Sequence, residues 1–421
     1  MSIFTVFTIV ISLTAIFSYL NDVYIKLPGT IGIMVASLIS SILFLVLSSI
    51  GFGHTHWAKD LVLAADFNHL FMNGMLSFLL FAAASRVDVP KLNKFKWTIT
   101  YLATVGIVIS SLLVGFSMYW ITRYLGVNLP LIYAILFGAI ISPIDAVVVI
   151  KILKRAGAGD IMESIITGES LFNDAAAVVL FVLLLGLATG TTSMTPLGIG
   201  EFFLREAVGA LVLGFILGLI AHYMTVQITR KASDNHIVRI LIMLALISGG
   251  YTLAALLNVS GPLTCVVSGL LLSYSRGTEW MGFKHQHNQY VRDFLDVIDE
   301  VLNAVLFVLI GLEVLVLDFK GAYFIGCSLA ILIIIFARYL SVEVPLLLLR
   351  FFRTIPNVKG FIMTWSGLRG GVSIALALSL PTNSPREVIL VLTYIVVVFS
   401  IIVQGLTLGP ALRWYKRSVG I

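Results

Sequence analysis

The stretch LPLIYAILFGAIISPIDAVVVIKIL, residues 129–153, decides the fold of this chain. It is apolar and long enough to cross a bilayer as a helix, which takes about 20 residues. Pro143 lies in its middle and removes a backbone donor, so the helix is expected to break near Ser142. A simple proline kink is the alternative. Asp145 argues against it, because a carboxylate fits the free N–H groups at the start of a second half-helix.

Similar apolar segments recur along all 421 residues, of which 59% are hydrophobic and 11% charged, with a mean hydropathy of +1.05. A soluble protein carries about twice that charge. The pattern predicts an all-α membrane protein with about 13 transmembrane helices and no separate soluble domain. The predicted spans are Ile3–Leu20, Ile31–Ile50, Phe67–Ala84, Trp97–Trp120, Leu129–Leu153, Glu169–Leu187, Val208–Gln227, Val238–Leu257, Ser260–Ser273, Val297–Leu317, Tyr323–Leu340, Phe361–Leu380 and Val388–Leu412.

The basic residues give this bundle an orientation. Of 27 lysines and arginines, 20 fall in the odd-numbered connections or the C-terminal tail, and 5 fall in the even-numbered connections. Cytoplasmic loops carry the excess of positive charge, so the N-terminus is predicted outside and the C-terminus in the cytoplasm. The net charge of +6 is therefore interpreted as basic cytoplasmic loops and not as a surface for nucleic acid.

Two arginines remain outside the loops. Arg338 lies near the predicted cytoplasmic end of its span, where its side chain is expected to snorkel to water. Arg369 lies in the middle of a span, within Gly367-Leu-Arg-Gly-Gly371. Glycines around an arginine predict a second broken helix, because a close-packed glycine seam has no place for a guanidinium.

The two predicted breaks fall in segments five and twelve, which run in opposite directions. Two such breaks are typical of an inverted-repeat transporter, in which broken helices cross near the membrane midplane. No clear sequence repeat supports this prediction, which depends on the breaks alone.

Segment six carries a polar face inside the membrane. Glu169 and Asn173 are four residues apart, as are Ser170 and Asp174, so they form two adjacent columns on a helix. Hard oxygen ligands suit small cations. In apolar surroundings, a proton competes with the cation for a carboxylate. The hypothesis is that Asp174 exchanges ions while Glu169 forms a fixed ion pair with Arg369. A purely structural polar network is the alternative.

Weaker signals are interpreted conservatively. His54 and His56, like His285 and His287, form His-x-His pairs in loops and are taken as solvated side chains. His222 is taken as a helix-packing residue. Glu300 and Glu313 bracket segment ten and are expected near the membrane interfaces.

Three motifs together resemble a known family. Glu169-Ser-Leu-Phe-Asn-Asp174 resembles the glutamate-serine-x-x-asparagine-aspartate motif of the monovalent cation/proton antiporters, of the prokaryotic NhaP-type Na⁺/H⁺ exchangers. Ser142-Pro-Ile-Asp145 and Gly367-Leu-Arg369-Gly-Gly-Val-Ser-Ile-Ala-Leu-Ala resemble that family's two broken helices. The resemblance extends from about segment two to the C-terminus.

The resemblance implies a single antiporter unit over residues 1–421 in a prokaryotic cell membrane, forming a homodimer without a cofactor. Dimerisation helices are expected mainly in 1–60 and 208–317, and core transport helices mainly in 67–187 and 323–412. It implies that Asp174 carries Na⁺ (or Li⁺) and H⁺ in turn. Ser170 and the Ile144 carbonyl would complete the ion shell, and Asp145 and Arg369 would belong to the same site.

Asn173 stands where electrogenic relatives carry an aspartate, which implies electroneutral exchange. Two departures bear on ion selectivity. Ile144 replaces the usual threonine, and Phe81-Ala82-Ala83 replaces a Phe-Glu-Gly-like stretch. Both remove polar groups near the expected ion path.

Other functions stay open at this point. A K⁺/H⁺ antiporter could use the same scaffold, and only the ranking of transported ions separates the two. A cation channel is less consistent with a single protonatable aspartate. An intramembrane enzyme would need a nucleophile and a base; Ser170 with His222 is conceivable, but no motif supports this pair.

Overall fold

A computed structural model describes residues 3–50, 62, 67–156, 160–192, 195–231, 235–274, 289–317, 323–352, 360–382 and 384–419 of the chain. The regular structure within these ranges is entirely helical.

The helices are, in chain order, α1 (Ile3–Leu20), α2 (Gly29–Ser49), α3 (Phe67–Leu70), α4 (Leu76–Arg86), α5 (Val89–Lys94), α6 (Lys96–Tyr101), α7 (Ile107–Tyr124), α8 (Leu131–Ile140), α9 (Val147–Ala156), α10 (Asp160–Thr189), α11 (Pro196–Phe203), α12 (Gly209–Lys231), α13 (His236–Leu256), α14 (Gly261–Tyr274), α15 (Gln289–Glu313), α16 (Tyr323–Phe352), α17 (Gly360–Trp365), α18 (Gly371–Leu378), α19 (Arg386–Phe399) and α20 (Gly405–Val419). Single π-helical turns extend or join several of them, at Asn21–Ile25, Phe71–Met75, Leu102–Gly106, Leu204–Val208 and Ser400–Gln404.

Eight continuous helical stretches of the described chain are long and apolar enough to cross a bilayer, when helices joined by a π turn, such as α6 and α7, are counted as one stretch. The chain is therefore a multi-pass membrane protein, as its composition predicts. The other predicted spans coincide with helices that are short (α14), preceded by a π turn (α4), rich in acidic residues (α15) or broken. The count of 13 thus stays a prediction.

The break predicted at Ser142 is present. Helix α8 ends at Ile140, α9 begins at Val147, and the residues between them are non-helical. Pro143 cannot donate to the preceding turn, and the Ser142 hydroxyl donates to the Gly138 carbonyl at 2.7 Å, which satisfies one of the last free acceptors of α8.

The second predicted break is present as well. Helix α17 ends at Trp365 and α18 begins at Gly371. The two breaks touch, because the Asp145 backbone N donates to the Leu368 carbonyl at 2.7 Å. The unwound segments therefore satisfy each other's backbone, which is the condition for breaking a helix inside a membrane protein.

Small residues set the distances between neighbouring helices. A Cβ on Gly311 of α15 would lie 2.5 Å from the Ser37 Oγ of α2, and the Ser37 hydroxyl donates to the Val308 carbonyl at 2.9 Å. In the same way, a Cβ on Gly269 of α14 would lie 2.9 Å from the Ala84 Cβ of α4. Close packing through glycine, alanine and serine is the usual means of helix association in membranes.

We expect that Gly370→Ala pushes the two breaks apart. A Cβ on Gly370 would lie 2.7 Å from the Asp145 Cβ, and the backbone there is extended (φ −125°), so the effect is steric and not conformational. Overpacking of this kind costs about 1–3 kcal/mol. The measurement is the thermal unfolding of the purified protein in detergent, where the midpoint should fall.

The matched control is Gly200→Ala, because nothing lies within 4 Å of a Cβ at that helical position. Its midpoint should stay the same or rise, since alanine is the better helix former. An unchanged midpoint for Gly370→Ala would contradict the close crossing.

Candidate ion-binding site

The polar face of α10 lies against the first helix break. The Asp174 Oδ1 accepts a hydrogen bond from the Ile144 backbone N at 3.3 Å. One turn earlier, the Ser170 hydroxyl donates to the Ile144 carbonyl at 2.7 Å. Between them, the Asn173 Nδ2 donates to the Ser142 carbonyl at 3.3 Å. Three side chains of one helix therefore hold the unwound backbone in place.

Asp145 begins the second half-helix. Its Oδ1 accepts a hydrogen bond from the Val147 backbone N at 2.9 Å, so the carboxylate lies at the positive end of α9. Asp145 and Asp174 are both half-buried and line the same cavity. Their carboxylates, with the Ser170 hydroxyl and the Ile144 carbonyl, form a set of oxygen ligands that suits a small hard cation.

Glu169 pairs with Arg338, so the predicted ion pair between Glu169 and Arg369 is wrong. The Arg338 Nη1 and Nη2 donate to the two carboxylate oxygens at 2.6 and 3.0 Å, and Nη2 also donates to the Met363 carbonyl at 3.2 Å. Glu169 is 1% exposed and Arg338 is 5% exposed. A two-pronged pair of this kind fixes both side chains.

The length of α16 explains the difference. A span that ends at Leu340 puts Arg338 within reach of water, where a long side chain can snorkel. The helix instead continues to Phe352, so Arg338 lies in the middle of a 30-residue helix. Its charge is buried there and takes the nearest carboxylate, that of Glu169.

Arg369 contacts carbonyl groups. Its Nη1 donates to the Ser142 carbonyl at 2.6 Å and to the Pro143 carbonyl at 3.2 Å. Its backbone N donates to the Ser400 hydroxyl at 3.0 Å, which in turn donates to the Gln404 Oε1 at 2.5 Å. The guanidinium therefore stabilises the negative, C-terminal end of half-helix α8.

A cavity of about 330 Å³ connects this site to one surface of the protein. Its lining includes Asp145, Ser170 and Asp174, and also Asp299 and Asn303 of α15. Four basic side chains also line it, namely Arg86, Lys151, Lys154 and Arg292. All four belong to the connections predicted to be cytoplasmic, so the cavity opens on the predicted cytoplasmic side.

One charged cluster in this cavity was missed by the sequence reasoning. The Arg86 Nη2 donates to the Asp299 Oδ2 at 2.6 Å and its Nη1 donates to the Asp296 Oδ1 at 3.0 Å, while the Asn303 Nδ2 donates to the Asp299 Oδ1 at 3.0 Å. The signal was available, because Asp296, Asp299 and Asn303 have the three- and four-residue spacing of one helix face.

The whole transmembrane part of the chain matches one family. Residues 6–414 fit the family described as "Sodium/hydrogen exchanger, transmembrane". This chain belongs to the sodium/hydrogen exchanger family. The Na⁺/H⁺ antiporter NhaP of Pseudomonas aeruginosa is 40% identical over 408 residues, which are 96% of this chain and 95% of that protein. The antiporter ApNhaP of Aphanothece halophytica is 30% identical over 95% of this chain and 75% of its own length.

A solved exchanger structure has the same fold. The sodium proton antiporter MjNhaP1 of Methanocaldococcus jannaschii superposes with a TM-score of 0.71 over 96% of both chains, at 20% sequence identity. The resemblance drawn from the three motifs is therefore confirmed at the level of the family. The relatives are named as antiporters, which are transporters.

The two departures from the exchanger pattern have different surroundings. Ile144 is 3% exposed and offers the site its backbone only, through the N–H to Asp174 and the carbonyl to Ser170. Ala82 is fully buried in a separate apolar cluster with Ala221 and Ile247. Its neighbour Ala83 lines the cavity.

The histidine pairs of the loops, His54 with His56 and His285 with His287, lie outside the described residues. Glu300 is exposed and pairs with Lys151 at 3.0 Å, as an interfacial residue would. Glu313 is 5% exposed and is therefore buried at the C-terminal end of α15.

We expect Arg338→Met to destabilise this exchanger strongly. The substitution leaves the Glu169 carboxylate buried without its partner, which costs about 3–5 kcal/mol. Replacing both members, in the Glu169→Gln/Arg338→Met variant, should recover part of that loss. The measurement is the unfolding midpoint of all three variants in detergent.

Lys91→Met serves as the control, because Lys91 forms a solvent-exposed ion pair with Asp160 at 3.2 Å. The loss of an exposed pair should leave the unfolding midpoint unchanged. If Arg338→Met and the double variant are equally unstable, the buried ion pair is not the source of the stability.

Proposed function

We propose that this exchanger is an electroneutral Na⁺(Li⁺)/H⁺ antiporter that works by alternating access, with Asp174 binding either ion in turn. The observation that carries the proposal is the position of Asp174 on the cavity wall, where within the described part of the chain it accepts a single hydrogen bond, from the Ile144 N–H at 3.3 Å. Its carboxylate thus keeps free acceptor positions for a cation or a proton.

The proposed Na⁺ ligands are the Asp174 carboxylate, the Ser170 hydroxyl and the Ile144 carbonyl. The carbonyl accepts one hydrogen bond from Ser170 and has a second lone pair available. Asp145 lies close enough to Asp174 for the two carboxylates to interact electrostatically. Two ionised carboxylates side by side repel each other, so a bound Na⁺ or a proton on one of them relieves the repulsion.

The electroneutral stoichiometry is supported by Asn173. This side chain is uncharged and donates to the Ser142 carbonyl, so it fixes the break and carries no proton. One carboxylate that gives up a proton when it takes up Na⁺ moves one charge in each direction, and the cycle transfers no net charge.

Alternating access requires two parts that move relative to each other. We propose that the core helices, mainly 67–187 and 323–412, carry the site past dimerisation helices, mainly 1–60 and 208–317, in a homodimer. Two inverted repeats that each contribute one broken helix would supply the two related states. The excess of basic residues on one side supports an outside N-terminus and a cytoplasmic C-terminus.

We expect Asp174→Asn to abolish Na⁺-driven proton movement. The amide cannot carry the exchanged proton, and it lacks the charge that binds Na⁺. The measurement is the collapse of an imposed pH gradient in proteoliposomes on addition of NaCl, which should fall to the level of protein-free liposomes.

Asp160→Asn is the matched control, because it makes the same change on the same helix at a side chain that is 83% exposed. It should exchange like the wild type. Full exchange by Asp174→Asn would end the proposal.

Exchange should be insensitive to the membrane potential. We expect equal Na⁺-driven rates with and without a potassium diffusion potential set by valinomycin, because no net charge moves. A rate that changes with the sign of the potential would contradict electroneutrality while leaving antiport itself intact.

K⁺/H⁺ exchange is the second candidate. A threonine at position 144 would offer the ion a side-chain hydroxyl, whereas Ile144 offers none, and this difference favours K⁺/H⁺ exchange. The ranking of Na⁺, Li⁺ and K⁺ in the same proteoliposome assay decides between them. Single-channel currents in a planar bilayer would instead indicate a cation channel.

A further inference from the structure

One face of α15 carries polar residues at both ends and apolar residues between them. Asp299, Asn303, Leu306, Ile310 and Glu313 follow one another at steps of four, three, four and three residues, which is the spacing of a single helix face. Asp299 and Asn303 line the cavity that leads to the proposed ion site. Glu313 lies 14 residues beyond Asp299, which is about 21 Å along the helix axis.

Leu306 is the last residue of this face that lines the cavity, and neither Ile310 nor Glu313 lines it. Leu306 packs against Gly371 at the start of α18, where no space is left for a Cβ. Leu306 is 3% exposed, and Ile310 one turn further on is fully buried. These two apolar side chains separate the cavity from the part of the face that carries Glu313.

Glu313 is a buried acid of a different kind from the others. The Glu169 carboxylate accepts two hydrogen bonds from Arg338. The Asp299 carboxylate accepts one from Arg86 and one from Asn303. Within the part of the chain that the structure describes, the Glu313 carboxylate makes no hydrogen bond and no ion pair in contact. An acid kept inside a membrane protein without a fixed partner is energetically costly and is a functional candidate by default.

Two groups from α19 lie near this carboxylate. Arg386 and Tyr394 are close enough to interact with it electrostatically, yet neither forms an ion pair with it. The Arg386 Nε is buried and has no hydrogen-bond partner among the described residues, although the residue as a whole is half-buried. Arg386 is the first residue of α19, in a connection predicted to be outside, so this cluster adjoins the surface opposite the cavity mouth.

We propose that Glu313 is a second ion-binding residue of this exchanger, which receives the monovalent cation or the proton on the side opposite the cavity. In the alternate state the contact of Leu306 with Gly371 opens, and the path from Asp174 continues along the same face of α15 past Ile310 to Glu313. Arg386 stabilises the ionised carboxylate when no cation is there. This inference rests on the proposed antiport.

The site therefore takes a monovalent cation from the outer solution, or releases one to it. Na⁺ binds there more weakly than at Asp174, because Arg386 competes with it for the carboxylate. A weak site at the exit is what a transport path needs, since an ion must be able to leave it.

The test uses Glu313→Gln in membrane vesicles of both orientations, in which Na⁺ is presented either to the cavity side or to the opposite side. We expect the apparent KM for Na⁺ to rise about tenfold on the opposite side, the loss of ~1.4 kcal/mol of binding. The KM on the cavity side should change less than about twofold, and Glu313→Asp should restore most of the lost affinity.

Glu387→Gln is the matched control, because it removes an exposed carboxylate at the same end of the protein. It should leave both KM values unchanged. A KM that rises equally on both sides, or on neither, overturns the proposal, and so does a Glu313→Asp variant that behaves like Glu313→Gln.

If Glu313→Gln does not fold, Arg386→Gln takes its place in the same assay. Without the competing arginine, Na⁺ should bind Glu313 more tightly, so the KM should fall on the opposite side only. A fall on both sides, or no change, contradicts the assignment. The two proposals fail differently. A wild type that shows no exchange refutes antiport. An active wild type whose variants change the KM for Na⁺ equally on both sides refutes the role of Glu313 alone.

Discussion

The Asp145 N–H and the Leu368 carbonyl, 2.7 Å apart, join two unwound segments that would each leave polar backbone groups inside an apolar bundle. Neither break is tolerable alone, because an unsatisfied buried backbone group costs about as much as a lost hydrogen bond. Together they supply each other's partners, and the Gly370 backbone comes so close to Asp145 that no side chain fits between them. The crossing therefore requires both breaks to form at once, and it places the carboxylate of Asp145 beside the start of both second half-helices.

The same crossing explains why the site needs two arginines. Each first half-helix ends in carbonyl groups that have no helical partner. Arg369 donates to the Ser142 and Pro143 carbonyls after α8, and Arg338 donates to the Met363 carbonyl in α17. Each break thus has a positive charge at the negative end of its first half-helix. Of these two arginines, Arg338 alone has a carboxylate in contact among the described residues. The charge of Arg369 therefore acts on the site through the backbone and at longer range on Asp174.

The parts of this arrangement that are local in sequence could be predicted, and the parts that depend on helix positions could not. Pro143 and the glycines around Arg369 disturb their own helices, so both breaks were predicted from the residues that cause them. The motif of α10 and the family followed from short patterns as well. The partner of Glu169 did not, because it depends on how far α16 continues past Leu340, and hydropathy does not fix the end of a helix closely. The cluster of Arg86 with Asp296 and Asp299 could not be predicted for a related reason. Arg86 follows the predicted span Phe67–Ala84, and its contacts depend on how α4 packs against α15.

The acids of the site and its cavity differ mainly in how many of their acceptor positions are occupied. Glu169 is held by both prongs of Arg338, and Asp299 is held by Arg86 and Asn303. A carboxylate held in this way keeps its charge compensated, so it has little to gain from a proton or a cation. Among the described residues, Asp174 accepts one long hydrogen bond, from a backbone N–H, and it lines the cavity of about 330 Å³. Asp145 beside it likewise accepts one backbone hydrogen bond, from the Val147 N–H, so these two carboxylates are the least compensated of the four. A proton or a Na⁺ would compensate their charge. In the proposed exchange, the choice of Asp174 therefore depends on Arg338 and Arg86, which satisfy Glu169 and Asp299, as well as on the ligands proposed around Asp174.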